Sequence, residues 1–166
     1  MGSFFYSLAR KTAAIFLLFA SVVILLVSCS ASPSAEELMM EFAKAYGIDK
    51  TCYSKSIPEG EPGYAPVEFF TELYGNIEES VSDYAVIFTS TLSSVGECSV
   101  ILCYSEYDAM RVSEAALMRL DMIKSLVGSV NTEAADDAFV IRRGRAVITC
   151  ALSDNERAEK LWKKII

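Results

Sequence analysis

A strongly apolar stretch near the N-terminus, ending at Cys29, limits what this chain can fold into. Arg10 and Lys11 form a short basic region, and residues 12–28 are then almost wholly apolar. A basic start, an apolar run and a small residue before a cysteine are typical of an export signal. The ending Leu-Val-Ser-Cys predicts cleavage before Cys29 and attachment of a diacylglycerol to its thiol. We therefore expect residues 1–28 to be a lipoprotein signal peptide, so the folded domain is built from the residues after Cys29.

The same stretch has an alternative interpretation as an uncleaved membrane anchor. Residues 12–28 comprise about 17 residues, at the short end of the lengths that span a bilayer. In both interpretations the basic residues stay in the cytoplasm and the chain after Cys29 lies outside it. N-myristoylation at Gly2 is disfavoured, because Tyr6 stands where that signal has Ser or Thr. We expect a lipid-anchored protein on the outer face of a bacterial cytoplasmic membrane.

Size and charge exclude several functional classes. The chain has 166 residues, and removing the signal leaves about 138, which suits one domain over residues 35–166 after a tether over residues 29–34. The formal net charge is −7, and about −9 without the signal, which argues against binding nucleic acid or anionic lipid through the overall field. The chain has no histidine, which removes the commonest general base and metal ligand. We expect neither a metal nor a cofactor.

Four cysteines remain after Cys29, namely Cys52, Cys98, Cys103 and Cys150. Export permits disulfides, and four cysteines allow three pairings. Cys98 and Cys103 lie five positions apart, so a regular strand directs them to opposite faces and they should not pair with each other. The cysteines lie mostly in apolar, strand-like runs, where a free thiol behaves as a small hydrophobe. We expect free buried thiols, and the spacing fits no zinc site.

Helices are predicted from capping residues and from apolar residues at helical spacing. Ser34 and Glu37 form a capping box at the start of a helix that ends before Gly47. Residues 48–66 are rich in proline and glycine and are expected to form a long loop. Ser153 is predicted to cap the last helix. The predicted helices cover residues 35–46, 67–74, 107–127 and 154–165.

Apolar runs rich in β-branched residues predict about four strands, at residues 84–90, 98–104, 138–142 and 145–152. Each pair of strands precedes a helix, which gives the order ββα-ββα. Hairpins imply antiparallel pairs, so the predicted class is α+β. The strands are apolar on both faces, so helices must cover both sides of the sheet. We expect the two long helices on one face and the N-terminal helices on the other.

Several segments together resemble a family of clostridial-type lipoproteins catalogued as domain of unknown function 4358. Besides the Leu-Val-Ser-Cys ending, they are E-L-Y-G at 72–75, D-Y-A-V at 83–86, A-L-M-R-L at 116–120, V-I-R-R-G-R-A-V at 140–147 and L-S-D-N at 152–155. The similarity covers about residues 35–166. It implies an exported α+β domain without an assigned activity, and it implies that an arginine on the long helix, here Arg119, is a family feature.

Arg119 is the principal candidate site residue. At about 100° per residue it falls on the apolar face of its helix, between Val112 and Leu126. A guanidinium on the core side needs an acceptor or a route to water. It could be an anion or carboxylate clamp, or a structural arginine bonded to strand-end carbonyls or to an acid such as Asp83. We expect the structural role.

A second basic group, Arg142, Arg143 and Arg145, lies at the tip of a predicted hairpin. These arginines could contact phospholipid headgroups, because the domain is tethered close to the membrane. The alternative, which we favour, is a solvated turn in which Gly144 supplies a positive φ.

The chain lacks the signatures of the common catalytic classes. It has no Gly-x-Ser-x-Gly elbow, no Ser-x-x-Lys pair, no phosphate loop and no dinucleotide fingerprint. We expect a non-enzymatic domain that binds a partner or ligand at the cell envelope, with no nucleic acid. An exported enzyme that uses carboxylates or a cysteine, and a structural envelope component, remain alternatives. Several acids converging on Arg119 would favour the enzyme, whereas a flat exposed apolar patch would favour a protein partner.

Overall fold

The computed structural model describes residues 32–89, 96–127 and 137–166. The predicted signal peptide and Cys29 lie outside the described residues. Residues Pro33–Ile166 form one compact unit. Its elements are α1 (Ala35–Tyr46), β1 (Cys52–Ser54), α2 (Val67–Tyr74), a 3₁₀ turn (Glu78–Ser80), β2 (Val81–Phe88), β3 (Glu97–Cys103), α3 (Glu106–Val127), β4 (Phe139–Arg143), β5 (Ala146–Ala151) and α4 (Asn155–Ile165).

The described strands form one antiparallel sheet in the order β1-β2-β3-β5-β4. The predicted α+β class is confirmed. The sheet has five strands rather than about four. The additional strand, β1, lies within residues 48–66, which were predicted to be a loop. It has only three residues, too few to show an alternating pattern, and it is held by pairing of Tyr53 with Val86 and by a bridge from Ser54 to Tyr64.

Local side-chain contacts fix where α1 and α4 begin. At α1 the Ser34 hydroxyl accepts from the Glu37 backbone N–H at 3.1 Å, and the Glu37 carboxylate accepts from the Ser34 N–H at 2.8 Å. This confirms the predicted capping box. At α4 the cap is Asp154, whose carboxylate accepts from the Arg157 N–H at 2.9 Å. The predicted cap, Ser153, is therefore wrong by one position, because the carboxylate of its neighbour takes that role.

The helices cover both faces of the sheet, in a different arrangement from the predicted one. On one face Phe42 of α1 stacks on Trp162 of α4, with ring centroids 4.4 Å apart. On the other face Phe70 of α2 packs against Tyr84, and Val112 of α3 is buried in the same cluster. The two helices that were predicted to share a face, α3 and α4, thus lie on opposite faces. An apolar stripe identifies the buried side of a helix, but it does not show on which face of the sheet the helix packs.

Strand β3 illustrates how the two faces are separated. Cys98 and Val100 belong to the core beneath α1 and α4, whereas Ile101 and Cys103 belong to the core beneath α2 and α3. The prediction that Cys98 and Cys103 point to opposite faces is confirmed. By the same alternation Glu97 lies on the α2–α3 side of the sheet.

Candidate functional site

Arg119 forms an ion pair with Glu97, the first residue of β3. Its Nη2 lies 2.6 Å from Glu97 Oε2, and its Nε lies 3.1 Å from Oε2 and 3.3 Å from Oε1. The Glu97 side chain is 1% exposed and that of Arg119 is 15% exposed. The guanidinium therefore meets the carboxylate through two of its nitrogens, in the forked geometry that favours arginine over lysine.

Two further polar side chains, Tyr74 and Ser99, are linked to this ion pair by hydrogen bonds. The Tyr74 hydroxyl, at the end of α2, hydrogen-bonds to Glu97 Oε1 at 3.1 Å and to Ser99 Oγ at 2.7 Å. Burial, followed by the negative charge of Glu97, raises the pKa of Tyr74 well above its usual value, so the phenol stays protonated. We call Tyr74, Glu97, Ser99 and Arg119 the buried polar cluster. It joins α2, β3 and α3 through hydrogen bonds.

The electrostatics of the buried polar cluster are internally balanced. Burial alone would lower the pKa of Arg119, but the hydrogen bonds and the charge of Glu97 outweigh it and raise that pKa. Both carboxylate oxygens of Glu97 accept hydrogen bonds from within the cluster. The position where the carboxylate of a ligand would meet the guanidinium is thus occupied by Glu97. This arrangement favours the structural role of Arg119 over the role of an anion clamp.

The suggestion that Asp83 is the partner of Arg119 is wrong. Asp83 instead accepts from the Ala35 N–H at 2.8 Å and from the Ser56 hydroxyl at 2.9 Å, which ties the start of α1 to the sheet. Glu97 was missed because a charged residue just before an apolar run resembles the end of a hairpin loop. Only the pairing of β3 within the sheet shows that its side chain turns inward.

The outward side of α3 carries several exposed large apolar side chains that were not predicted from the sequence. Five large side chains along this side are 44–68% exposed, and we call them the α3 outer face: Tyr107, Met110, Leu117, Met118 and Met122. At about 100° per residue they occupy one side of the helix, opposite the buried Val112, Ala116 and Ile123. Three methionines at helical spacing were the available signal, hidden by the stronger inward stripe.

The hairpin arginines are placed at the surface. Arg142, Arg143 and Arg145 are all exposed at the β4–β5 turn, where Gly144 has the expected positive φ of 55°. Arg143 donates through Nη1 to the backbone carbonyl of Ile166. The three side chains therefore belong to a turn that packs near the C-terminus, and their contact with headgroups stays a prediction.

The four described cysteines are buried and unbridged. Burial is the main cause that raises the pKa of Cys52 and of Cys103 to about 12 in each case. Such thiols are protonated near neutral pH and are poor nucleophiles. Within the described ranges, no group of three or more Cys, Asp or Glu side chains could hold a metal ion.

Comparison with known proteins gives no matching family model, no matching curated protein and no matching solved structure. A search of the described helices for a membrane span finds none that is long and apolar enough to cross a bilayer.

Proposed function

We propose that this chain is an exported lipoprotein, anchored through Cys29, whose folded domain is a non-enzymatic binding module. The α3 outer face is the binding surface, and its occupant is an apolar surface of another envelope protein. The observation that carries this proposal is the run of five exposed large apolar side chains along a single helix. Single exposed apolar residues are ordinary, whereas several large ones along one side of one helix favour an interaction surface.

The composition of the α3 outer face suits a protein partner. Met110, Met118 and Met122 have unbranched, polarizable side chains that adapt to the shape of an opposing surface. Tyr107 adds an aromatic ring with a polar end, a residue type enriched at protein interfaces. A helix that presents its anchors at this spacing fits an apolar groove or a second helix.

Charges within and around the α3 outer face narrow the class of partner. Glu114 and Asp121 are exposed between its apolar side chains, the nearby Arg111 is paired with Glu79, and the chain as a whole carries a formal charge of −7. An anionic lipid surface would be repelled, and a second copy would bring like charges together. A partner with an apolar surface rimmed by lysine or arginine would bury the exposed apolar side chains of α3 and pair with its carboxylates.

Site-specific crosslinking in the producing bacterium tests this surface. A benzophenone amino acid replaces Met118 in the full-length chain, and the control carries it at Lys160, on the exposed side of α4. We expect one protein adduct from position 118 and none from position 160. The adduct should be lost when Glu114→Lys and Asp121→Lys are added, and kept when Glu156→Lys and Glu159→Lys on α4 are added.

Three results would contradict the proposed surface. Adducts with lipid would make α3 a membrane contact, and adducts between two copies of the chain would make it a dimer interface. An adduct that survives the charge reversals on α3 would show that the assigned complementarity is wrong.

Acylation is tested separately, by labelling cells with a radioactive fatty acid. The prediction rests on the Leu-Val-Ser-Cys ending of the apolar run. Cys29→Ala should abolish the label and leave an unprocessed precursor. Cys52→Ala removes a buried thiol of the domain and should keep the label, so it is the matched control. Label that persists in Cys29→Ala would refute anchoring at this residue.

A further inference from the structure

Cys98 and Cys150 lie directly opposite each other on neighbouring antiparallel strands. They are register partners in the β3–β5 pair, and their Sγ atoms are 2.7 Å apart. Opposed residues in an antiparallel pair have Cβ atoms about 4.5–5.5 Å apart. A disulfide needs Cβ atoms about 3.5–4.5 Å apart and a Cα separation of about 4.4–6.8 Å. The backbone therefore already holds this pair close to bonding geometry.

The other two described thiols have no such partner among the described cysteines. Cys52 on β1 is paired with Ile87, and Ile87 in turn is paired with Cys98. Strand β2 therefore lies between Cys52 and Cys98, so their backbones are two strand spacings apart, at about 4.8 Å for each spacing. Cys103 lies in the core on the opposite face of the sheet. Of the three ways to pair the four described cysteines, only the one that includes Cys98–Cys150 contains a bond that this fold can form.

We propose that Cys98 and Cys150 are a modification site, oxidised after export to a disulfide that joins β3 to β5. The oxidant is a disulfide of a thiol–disulfide exchange protein or of a small dithiol carrier. One cysteine thiolate attacks that disulfide, which forms a mixed disulfide and expels one carrier thiolate. The second cysteine then attacks the mixed disulfide, closes the Cys98–Cys150 bond and releases the second carrier thiol. The two cysteine protons and two electrons thus leave with the reduced carrier.

The timing of this reaction follows from burial. Both thiols are fully buried beneath α1 and α4, and burial is the first cause that raises the pKa of Cys150 well above its usual value. A folded domain would therefore give the oxidant no access to either thiol, and the Cys150 thiol would stay protonated. The bond must close while β3 and β5 are pairing and before α1 and α4 cover them. Once formed, it is protected from reduction by the same burial.

The consequence for stability is set by the loop that the bond closes. Cys98 and Cys150 are 52 positions apart, and the enclosed segment contains all of α3. Closing a loop of this length restricts the unfolded chain, and the oxidised protein should unfold at a urea concentration about 1–2 M higher than the reduced protein.

Mass spectrometry of the full-length protein from the producing cell tests the proposal, which rests on the exported location proposed above. Cells are quenched in acid, free thiols are alkylated under denaturing conditions, and the unreduced protein is digested. We expect a Cys98–Cys150 crosslinked peptide, with Cys52 and Cys103 alkylated. Cys52→Ala and Cys103→Ala should keep the crosslink, and Cys98→Ala should leave Cys150 alkylated. Alkylation of all four thiols, or any other bridge, would overturn the proposal.

A second measurement separates geometry from location. Reduced, denatured full-length protein is refolded in detergent with a glutathione redox buffer and analysed in the same way. A crosslink that forms in this buffer but not in the cell would refute the exported location while retaining the geometric argument. A protein that refolds in this buffer without the crosslink would refute the geometric argument and leave the proposed function untouched.

Discussion

The two helical layers of this domain differ in where they place polar and apolar side chains. The α1–α4 layer is apolar inside, where Phe42 stacks on Trp162, and charged outside, where Lys160 pairs with Glu156. The α2–α3 layer holds the buried polar cluster inside and the α3 outer face outside. A layer of the first kind exposes charged side chains that water solvates well. A layer of the second kind leaves apolar side chains that another molecule can cover, which is why we propose the binding surface there.

The exposed apolar side chains also raise the question of what fixes the rotation of α3 about its axis. This helix is apolar on its inward side, at Val112 and Ile123, and on its outward side, at Met118 and Met122. Hydrophobic burial alone would not select strongly between these two sides. A forked ion pair with a residue fixed on the sheet selects one rotation of the helix about its axis. We therefore expect the buried polar cluster to contribute more to specificity of packing than to net stability.

The largest effect should come from the apolar layer. Trp162→Ala removes the ring that stacks on Phe42 in the core beneath α1 and α4. We expect the free energy of unfolding to fall by about 3–5 kcal/mol. Urea unfolding of a soluble domain that begins at Pro33, followed by circular dichroism, measures it. A loss below about 1 kcal/mol would show that this layer is not tightly packed.

A smaller loss is expected from the polar layer. Arg119→Ala leaves the buried Glu97 without its ion-pair partner, and should cost about 2–4 kcal/mol. Arg119→Lys should recover only part of this loss, because one ammonium group cannot reproduce the planar fork. Urea unfolding of the same domain gives both values. Parent-like unfolding of Arg119→Ala, together with lost partner crosslinking, would instead assign Arg119 to binding.

The double variant Glu97→Gln with Arg119→Met tests the specificity argument itself. It removes both charges together and should be more stable than Arg119→Ala, because no unpaired carboxylate remains buried. Its α3 should nevertheless be held less uniquely, which amide exchange along residues 106–127 would detect as faster exchange than in the parent. Parent-like exchange in the double variant would show that apolar packing alone orients this helix.

The sequence predicted the elements well where a local signal defines them. The Ser34–Glu37 capping box and the positive φ of Gly144 depend on neighbouring residues, and both were predicted correctly. The inward position of Arg119 followed from helical spacing. Its partner Glu97 could not be identified, because the contact depends on how β3 lies in the sheet. The same limit applied to the placement of α3 and α4, since the choice of sheet face is a property of the whole chain.

The smallest effect on stability should come from the α3 outer face, and it sharpens the contrast between the layers most. A variant with Leu117→Gln, Met118→Gln and Met122→Gln replaces side chains that are already more than half exposed. The free energy of unfolding should change by no more than about 0.5 kcal/mol. Leu120→Ala, on the inward side of the same helix, is the matched control and should cost about 2–5 kcal/mol.

The same triple variant should abolish the adduct formed by a crosslinker placed at Met110, a remaining position of the α3 outer face. Loss of the adduct with unchanged stability would separate stability and binding within one helix, the inward side serving the fold and the outward side the proposed contact. A triple variant that loses several kcal/mol of stability would show that these exposed side chains pack within the domain. In that case the apolar surface would belong to the fold, and the binding surface would have to lie elsewhere.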